Sequence, residues 1–363
     1  MKNTFGNSIC VTIFGESHGA AVGAVIDGIT PGIKLDYDYI DKKLAKRRPN
    51  GKISTPRREA DEYKIVSGVF NGYTTGTPLA VIVENTNTKS SDYDKLRDIP
   101  RPSHADYTAE CKYHGFQDYR GGGHFSGRVT VALVIVGAIL SRALLDKGIR
   151  IGTHISALHG ISDIPFDNFS DDIDALWAKE FPALSSESEE KMIAEILKAR
   201  ENGDSVGGVL ESAVIGIPRG VGEPFFDSVE SVISHILFSI GGIKGVEFGD
   251  GFALANMYGS EANDAFVMKD GNVETKTNRS GGINGGITNG MPIIVRSAIK
   301  PTPSISKKQD SVSLSELKDT KLEIVGRHDP AIIHRASAVV DAALAIAVSD
   351  MLCSRYGTDY LTK

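Results

Sequence analysis

An internal repeat constrains the fold of this chain more than any other feature of its sequence. The pattern Gly-x3-Gly-x-Thr-x-Gly-x-Pro occupies Gly68–Pro78 and recurs at Gly282–Pro292, so that all five identities share one offset of 214 residues. An apolar run follows each copy, and the pair Asn71-Gly72 is typical of a tight hairpin turn. Each copy therefore predicts a β-hairpin that leads into a strand.

A second pair of similar segments precedes the hairpins. AVIDGITPGI at Ala24–Ile33 resembles AVIGIPRGV at Ala213–Val221, and the two echoes occur in the same order. Helices are predicted after these segments and at the end of each half, at residues 36–48, 129–146, 227–239 and 336–355. Together the echoes predict an ancient duplication with halves near 1–205 and 206–363. The polar, helix-patterned stretch Ser185–Ser205 is the expected crossing between them.

Length and composition are those of a globular protein. The 363 residues are 41% hydrophobic and 24% charged, and at ~150 residues per domain they would form about two domains. The repeat predicts instead that residues 1–363 are a single α+β domain, with central helices against antiparallel hairpins.

Cysteine usage and hydropathy favour a soluble protein of the cytoplasm. The three cysteines are far apart and form no CxxC pair, which indicates neither a disulfide framework nor a zinc knuckle. The N-terminus lacks the apolar core of a signal peptide. The longest apolar run, Val129–Leu140, is shorter than the ~20 residues of a membrane span, so it predicts a buried helix and no membrane association.

Basic residues concentrate in the segment 42–58, where eight of seventeen residues are Lys or Arg and none is acidic. The rest of the chain then holds 32 basic and 46 acidic residues. Three interpretations fit: a solvated helix end and loop, a patch that binds nucleic acid, or a clamp for a small, highly anionic substrate. No aromatic residue interleaves the basic ones, which disfavours binding of single-stranded nucleic acid.

The glycines are clustered. Three blocks, Arg120–Arg128, Gly241–Gly251 and Gly281–Gly290, hold 14 of the 39 glycines. Glycine lets backbone N–H groups approach a ligand closely, although tight turns between strands would explain any one block. No block matches GxxxxGK[ST] or the GxGxxG of a strand-to-helix turn, so neither a P-loop nor a Rossmann site is indicated.

Several loops carry residues suited to proton transfer. His18 lies in GESHG after an apolar strand at Ser8–Phe14, and His104 lies in RPSHAD; either is a candidate acid or base, or a loop histidine bonded to backbone. Asp329, in RHDP, is either a carboxylate base near an arginine or a structural residue, in an ion pair or as an N-cap. No HExxH or other metal-spaced group occurs, so no metal is predicted.

Eight motifs together resemble the chorismate synthase family. In chain order they are GESHG, KRRP, RPSHAD, DYRGGGHFSGR, GIKGVEFGDGF, GGINGGI, KPTPS and GRHDP. The resemblance runs from about Phe5 to the last helix, and eight motifs in order are far more specific than any one of them.

The resemblance implies a fold and a reaction. The fold of the family is a β-α-β sandwich with internal pseudo-symmetry, usually assembled as a homotetramer. The family converts 5-enolpyruvylshikimate 3-phosphate (EPSP) to chorismate and phosphate by a 1,4-anti elimination, the last step of the shikimate pathway towards the aromatic amino acids. The reaction requires reduced FMN without net redox change.

The resemblance also implies site residues. His18 matches the histidine proposed to protonate the leaving phosphate, and His104 the one proposed to protonate the flavin near N1. Asp329, with Ser17, matches the group thought to relay a proton through flavin N5. The positions implied for the substrate or a nicotinamide nucleotide are Arg47, Arg48, Lys52, Arg101, Arg128 and Arg327. Those implied for FMN are His124, Phe125, Ser126, Gly241, Gly242, Gly285, Lys300, Pro301, Thr302, Pro303, Ser304 and Arg327.

This chain departs from many relatives at two places. Lys52 stands where many have arginine, which keeps the charge and loses the bidentate fork. Gly241-Gly242 replaces an Asn-Ala pair and removes a side-chain contact. Some relatives also reduce flavin with NADPH; no dedicated nicotinamide domain is evident here, so we expect a monofunctional enzyme that depends on an external flavin reductase, with NADPH only an indirect reductant. An RNA-binding module built on residues 42–58 is the alternative from a different class.

Overall fold

A computed structural model describes residues 2–49, 51–54, 61–86, 97–324 and 328–362, without the side chain of Lys52. Its secondary structure mixes helices with antiparallel strands, so the expected α+β class is confirmed. The strands are β1 Thr4–Phe5, β2 Cys10–Gly15, β3 Ala21–Asp27, β4 Tyr63–Ser67, β5 Val69–Phe70, β6 Tyr73–Thr74, β7 Leu79–Glu84, β8 Arg150–Leu158, β9 Ile161–Ser162, β10 Gly208–Ile215, β11 Ile243–Phe248, β12 Phe266–Lys269, β13 Asn272–Thr275, β14 Ile283–Asn284, β15 Ile287–Thr288, β16 Ile293–Ile299, β17 Gln309–Ser313 and β18 Lys318–Leu322.

The predicted helices are all present, with ends shifted by a few residues. The α-helices are α1 Tyr37–Arg47, α2 Asp106–Tyr113, α3 Thr130–Asp146, α4 Phe169–Ala178, α5 Ser186–Glu201, α6 Val229–Ser239, α7 Gly259–Ala262 and α8 Ile333–Tyr356. Side chains cap several of them: Asp36 accepts from the Tyr39 N–H at the start of α1, and Ser228 does the same for Ser231 at the start of α6.

Two five-stranded antiparallel sheets share one strand pattern. The first has the order β1-β2-β3-β7-β4, and the second has the order β11-β16-β10-β8-β9. Read from the opposite edge, the inner strands β8-β10-β16-β11 lie in the same spatial order as β2-β3-β7-β4. A short loop joins β2 to β3, whereas β9, α4 and α5 lie between β8 and β10. All strand pairs in both sheets are antiparallel, and in their register Val22 lies opposite Val83 and Ala213 opposite Ile294.

Both repeated motifs fold into the predicted hairpin. β5 pairs with β6 and β14 pairs with β15, each around a turn whose two central residues have left-handed φ values. The repeated threonine makes the same contacts twice. Thr74 Oγ1 donates to the Thr30 carbonyl at 2.6 Å and accepts from the Ile33 N–H at 2.9 Å.

The second threonine, Thr288, makes the same two hydrogen bonds with nearly the same distances. Thr288 Oγ1 donates to the Pro218 carbonyl at 2.6 Å and accepts from the Val221 N–H at 3.0 Å. Ile33 and Val221 are the last residues of the two similar segments that precede the hairpins. Because these hydrogen bonds join each segment to its hairpin, they explain why the segment and the hairpin are repeated together.

The two long apolar helices occupy the core. α3 contacts β3 and β7 of the first sheet, α8 contacts β8 and β10 of the second, and the two helices contact each other. Gly137 of α3 allows the close approach, because a Cβ there would lie 2.3 Å from the Cβ of Ala342. One cluster of buried apolar side chains includes residues of both halves.

Length and composition alone would allow two helices to cross a membrane, Gly127–Asp146 and Ile333–Tyr356. Their most apolar windows are 72% and 89% buried inside the protein. The run at Val129–Leu140 therefore belongs to a longer helix than its apolar residues alone suggest, and its packing is that of a core helix.

The division between the sheets lies earlier than the predicted boundary near residue 205. Strands β8 and β9, at residues 150–162, pair within the second sheet, so the change of sheet falls between α3 and β8. The polar stretch that was expected to be the crossing is α5, which contacts β9 and the short helical turn Gly51–Ile53. Neither echo reaches β8, which is why the sequence did not indicate this boundary.

Candidate active site

A strip of three glycines, Gly121–Gly123, lies at the centre of the candidate site. All three have left-handed φ values, of 59°, 81° and 54°, which glycine adopts without strain. A Cβ on Gly121 would lie 2.8 Å from His18 Nε2, and one on Gly122 would lie 3.3 Å from His104 Cε1. The glycine strip therefore packs against both predicted histidines and brings them to one place.

Ser17 and His18 lie in the loop between β2 and β3. They are 5% and 7% exposed, so this loop is buried against the strip. The Ser17 N–H donates to the Gly123 carbonyl at 3.0 Å, and His124 Nδ1 lies 2.7 Å from the Gly15 carbonyl oxygen. These two contacts fix the end of β2 and the following loop to the glycine-rich segment.

Arg101, His104 and Asp106 form a second cluster on the other side of the strip. Arg101 donates from Nε and Nη2 to the two oxygens of Asp106, each at 2.8 Å, and His104 Nδ1 lies 2.5 Å from Asp106 Oδ1. Burial opposes ionisation of Asp106, but the hydrogen bonds from Arg101 and His104 outweigh it and hold the pKa of Asp106 well below its usual range. The carboxylate fixes the imidazole through Nδ1, and Nε2 lies 3.6 Å from the Cβ position of Gly122.

The turn Lys300–Ser304 joins this second cluster. Lys300 Nζ donates to the Ser103 carbonyl, and Arg101 Nη1 donates to Ser304 Oγ at 3.2 Å. The Lys300 N–H donates to the Gly242 carbonyl at 3.0 Å. Three positions matched to FMN therefore lie in one contact chain with His104.

Three arginines converge on one buried carboxylate, Asp61. Arg47 Nη1 lies 3.2 Å and Arg48 Nε 3.4 Å from Asp61 Oδ2, and Arg128 Nη1 donates to Oδ1. The Asp61 side chain is 0% exposed. Three guanidinium groups are thus fixed beside one buried carboxylate, and guanidinium groups are well suited to bind a carboxylate or phosphate. Ser126 supports the cluster, because its Oγ accepts from the Arg128 N–H at 3.3 Å.

Asn85 connects this arginine cluster to the His18 loop. Its Oδ1 accepts from Arg128 Nε at 3.0 Å, and its Nδ2 donates to the carbonyls of Glu16 and Gly19 at 2.9 Å each. A continuous set of contacts therefore runs from the arginines through the His18 loop and the glycine strip to His104.

His124 and Phe125, which were matched to FMN, line a neighbouring cavity of about 370 Å³. Its wall includes the aromatic side chains of Phe14, Tyr113 and Phe116. His18 and His104 do not line it. The structure thus places this part of the predicted flavin site beside the histidine loops rather than in one pocket with them.

Asp329 pairs with Arg335 in the first turn of α8, at 2.6 Å between Oδ2 and Nη2. Of the two interpretations open from the sequence, an ion pair is therefore present, and a role as a base stays a prediction. Arg327 lies outside the described residues, and so does the side chain of Lys52.

The segment that contains Lys52 is attached to α8 by Ser54. Ser54 Oγ lies 2.8 Å from His334 Nε2, and burial, with the positive charge of Arg335, lowers the pKa of His334 to about 3. The imidazole is therefore neutral at physiological pH, and this contact is a structural tether.

The described basic side chains of α1 make different contacts. Arg47 and Arg48 turn to the arginine cluster, whereas Lys43 pairs with Asp341 at 2.8 Å and Lys46 donates to backbone carbonyls. Residues 55–60 and the side chain of Lys52 lie outside the described residues, so a single anion clamp over 42–58 stays a prediction.

Three residues of the site were missed by the sequence analysis: Asp61, Asn85 and Asp106. Asp106 stands two residues after His104 in the RPSHAD motif, and this spacing could have indicated it as the partner of that histidine. Asp61 and Asn85 belong to no motif, and their roles depend on contacts between distant segments.

The arrangement can move protons next to a bound anion. The buried His18 and the partly buried His104 flank a backbone strip, and fixed guanidinium groups lie at both ends of it. Among the residues that the structure describes, no group of three or more His, Cys, Asp or Glu side chains could hold a metal ion.

Comparisons with known proteins identify the family. The model of the chorismate synthase family matches residues 9–353. The chain is 46% identical to chorismate synthase of Pyrococcus abyssi over 96% of its length and 97% of the relative's. It is 44% identical to that of Methanococcoides burtonii, over 96% and 95%, and 44% identical to that of Chitinophaga pinensis, over 96% of both chains.

A solved structure shares the fold. A crystal structure of a chorismate synthase superimposes with a TM-score of 0.76 at 28% identity, over 98% of this chain and 94% of the other. Fold, site and relatives together define an enzyme of the lyase class. The chain belongs to the chorismate synthase family.

Proposed function

We propose that this protein catalyses the 1,4-anti elimination of phosphate from EPSP, which gives chorismate, and that it requires reduced FMN. The observation that carries the proposal is the contact chain from the Asp61 arginine cluster through His18 and the glycine strip to His104. It places several guanidinium groups and two candidate proton carriers around one short stretch of glycine backbone. An anionic substrate that loses phosphate would need such groups.

The charge of the substrate explains the arginines. EPSP carries two carboxylates and one phosphate, and burying such charge without paired cations is costly. Arg47, Arg48 and Arg128 place three guanidinium groups around Asp61, and Arg101 adds a guanidinium at the other end of the strip. These groups would hold the anion in place and keep it there while the C–O bond breaks.

The proton steps are assigned to this chain's own residues. As the allylic C–O bond breaks, phosphate leaves with the bonding electron pair, and His18 would donate a proton to it. The C6 hydrogen leaves as a proton, for which Asp329, with Ser17, is the candidate acceptor. His104, fixed through Nδ1 by Asp106, would hold a proton at the flavin side of the site.

Features of the Lys300–Ser304 turn and two glycines fit a bound FMN. Thr302 Oγ1 is buried and has no hydrogen-bond partner among the described residues. A Cβ on Gly241 or Gly285 would meet no described atom within 4 Å, so a ligand can approach the backbone there. Lys300 adds a cation. When bound and reduced, FMN would supply electron density to the substrate during C–O cleavage and recover it afterwards.

Further proposals concern the whole protein. We infer that the two sheets with α3 and α8 between them form a duplicated β-α-β sandwich, and that residues 1–363 are one domain. We also infer a homotetramer in the cytoplasm that takes reduced FMN from an external flavin reductase, with NADPH as an indirect reductant and with neither nucleic acid nor membrane as a partner. The matched hydrogen bonds of Thr74 and Thr288 support the duplication.

Substitution of His18 tests the assignment of the acid. His18→Ala is expected to lower turnover of EPSP by roughly 10²-fold or more, the usual contribution of a general acid, while reduced FMN still binds. His159→Ala is a matched control, because its side chain is 63% exposed and pairs with Glu195 on α5. Full activity of His18→Ala with reduced FMN would remove His18 from the mechanism.

A further inference from the structure

Residues Glu16–Gly19 form a β-turn, and its two central residues are Ser17 and His18. The Gly19 N–H donates to the Glu16 carbonyl at 3.1 Å, which is the hydrogen bond that closes such a turn. Because one hydrogen bond closes the turn, the orientation of its two central side chains depends on the other contacts that hold it.

Asn85 holds both ends of this turn. Its Nδ2 donates to the carbonyl of Glu16 and to the carbonyl of Gly19, at 2.9 Å each, so both N–H bonds of the amide are used. The backbone of Asn85 is fixed as well, because its N–H donates to the Ala20 carbonyl at 3.1 Å, next to the paired strands β3 and β7. The turn is therefore attached to the end of β7.

The oxygen of the same amide contacts a cation. Asn85 Oδ1 accepts from Arg128 Nε at 3.0 Å, and Arg128 Nη2 donates to the carbonyl of the preceding residue, Glu84, at 3.1 Å. Two consecutive residues at the end of β7 thus hold the Arg128 guanidinium. The Asn85 side chain lies between the turn that contains His18 and an arginine of the Asp61 cluster.

This position requires a group that donates on one side and accepts on the other. Carbonyl oxygens accept and cannot donate, whereas a guanidinium group donates and cannot accept. The orientation of the amide, with its nitrogen toward the turn and its oxygen toward Arg128, follows from these partners. An aspartate here would keep an acceptor for Arg128 but would place a carboxylate oxygen against two carbonyl oxygens.

The glycine strip supplies further contacts of the turn. The Ser17 N–H donates to the Gly123 carbonyl at 3.0 Å, and the Cβ position of Gly121 lies 2.8 Å from His18 Nε2. The strip contacts the central residues of the turn, whereas Asn85 contacts its two ends. Without the amide, the ends of the turn would lose both side-chain contacts to Asn85, and the histidine would shift more readily.

We propose that Asn85 is a positioning residue: its amide fixes the turn that presents Ser17 and His18, and it couples the place of that turn to the place of Arg128. The inference rests on the proposed function, because His18 is the acid whose position matters for turnover. Asn85 acts through the turn and not on the reacting atoms, since both N–H bonds of its amide are used within the protein.

An isosteric substitution separates the two parts of this role. Asn85→Asp removes the two donors to the turn and keeps an acceptor for Arg128. We expect kcat for EPSP to fall by about tenfold or more, because a small misplacement of a catalytic group is costly, while KM changes little. Asn85→Ala removes all three side-chain contacts without the added repulsion, and should lower kcat similarly and also raise KM, so the test does not depend on how well Asn85→Asp folds.

Chemical modification reports on the turn without turnover. Diethyl pyrocarbonate acylates accessible imidazole nitrogens, and peptide mass mapping assigns the product to His18, which is 7% exposed. Modification of His18 should be several-fold faster in both variants, because a loosened turn exposes the ring. His159, whose side chain is 63% exposed, provides the reference rate within each protein.

Asn202→Asp is the matched control. Asn202 is exposed at the end of α5, and its Nδ2 donates to the Lys198 carbonyl at 2.9 Å. The same chemical change away from the site should leave kcat, KM and the modification rate of His18 as they are in the native protein.

Two results would overturn the proposal. One is an unchanged kcat in both Asn85 variants. The other is a lower kcat with unchanged modification of His18, since the loss would then not come from the turn. A native protein that releases no phosphate from EPSP would refute the proposed function, whereas the modification rates would still decide whether Asn85 holds the turn.

Discussion

At the residue scale, Asp61 determines how the arginines of the site are arranged. Its buried carboxylate is the shared partner of Arg47, Arg48 and Arg128. Its two oxygens hold the three guanidinium groups in fixed positions beside one another.

Replacement of Asp61 tests this role. Asp61→Asn is expected to lower the free energy of unfolding by about 3 kcal/mol or more, because it leaves buried charges uncompensated. Urea denaturation measures the change.

The control is Glu84→Gln, which removes the carboxylate of an exposed pair with Lys64 and should leave the stability nearly unchanged. Similar small effects of both substitutions would show that Asp61 does not order the arginines.

At the element scale, the glycine strip works because it lacks side chains. Its left-handed backbone passes between the His18 loop and the His104 cluster, at distances that leave no room for a Cβ. The high glycine content that the sequence shows in this block is therefore a packing requirement of the site. It does not indicate a flexible loop.

Gly121→Ala should disturb the site directly. The added Cβ would lie 2.7 Å from Ser17 Oγ and 2.8 Å from His18 Nε2, at a φ of +59°, so the histidine must move. We expect turnover to fall by about tenfold or more, because small misplacements of a catalytic group are costly.

Gly127→Ala is the matched control within the same loop, since a Cβ there would meet no described atom within 4 Å. Steady-state kinetics of the two variants test whether the glycine strip positions His18. Equal activities would mean that the strip does not position His18.

The second sheet contains a pH-dependent contact. His154 is buried, with Nδ1 3.0 Å from Asp163 and Nε2 3.3 Å from Glu211. Burial acts to lower the pKa of His154, but the hydrogen bonds to Asp163 and Glu211 outweigh it and raise the pKa above the ordinary value of 6.5.

This raised pKa predicts the direction of a stability change. The protonated ring stabilises the fold fully below the unfolded value of 6.5, and that contribution is lost as the pH rises through the higher folded pKa. Urea denaturation across this range should show declining stability in the native protein and a weaker decline in His154→Gln. Identical pH profiles of the two proteins would contradict the assignment.

At the scale of the whole molecule, local signals predicted more than long-range ones. The hairpins were predictable because left-handed turn residues such as Asn71 and Gly72 have few alternatives, and α3 and α8 because their apolar runs can only be buried. The division between the sheets was not predictable from the sequence, because β8 joins the second sheet through pairing with β10 and contains no part of the repeat.

In the candidate site, too, local motifs predicted more than long-range contacts. His18, His104 and the glycine strip were indicated by motifs, and the structure brings them together. Asp61 and Asn85 were not indicated by any motif, because their importance depends on which distant side chains they contact. The fold thus supplies the partners, whereas the sequence motifs supply the reactive groups.

The central claim is that the site eliminates phosphate from EPSP only with reduced flavin. The most direct test is phosphate release from EPSP under strictly anaerobic conditions, measured with dithionite-reduced FMN, with oxidised FMN and with dithionite alone. The account predicts turnover with reduced FMN and none in the other two reactions. Phosphate release that is independent of the flavin's presence or redox state would contradict it.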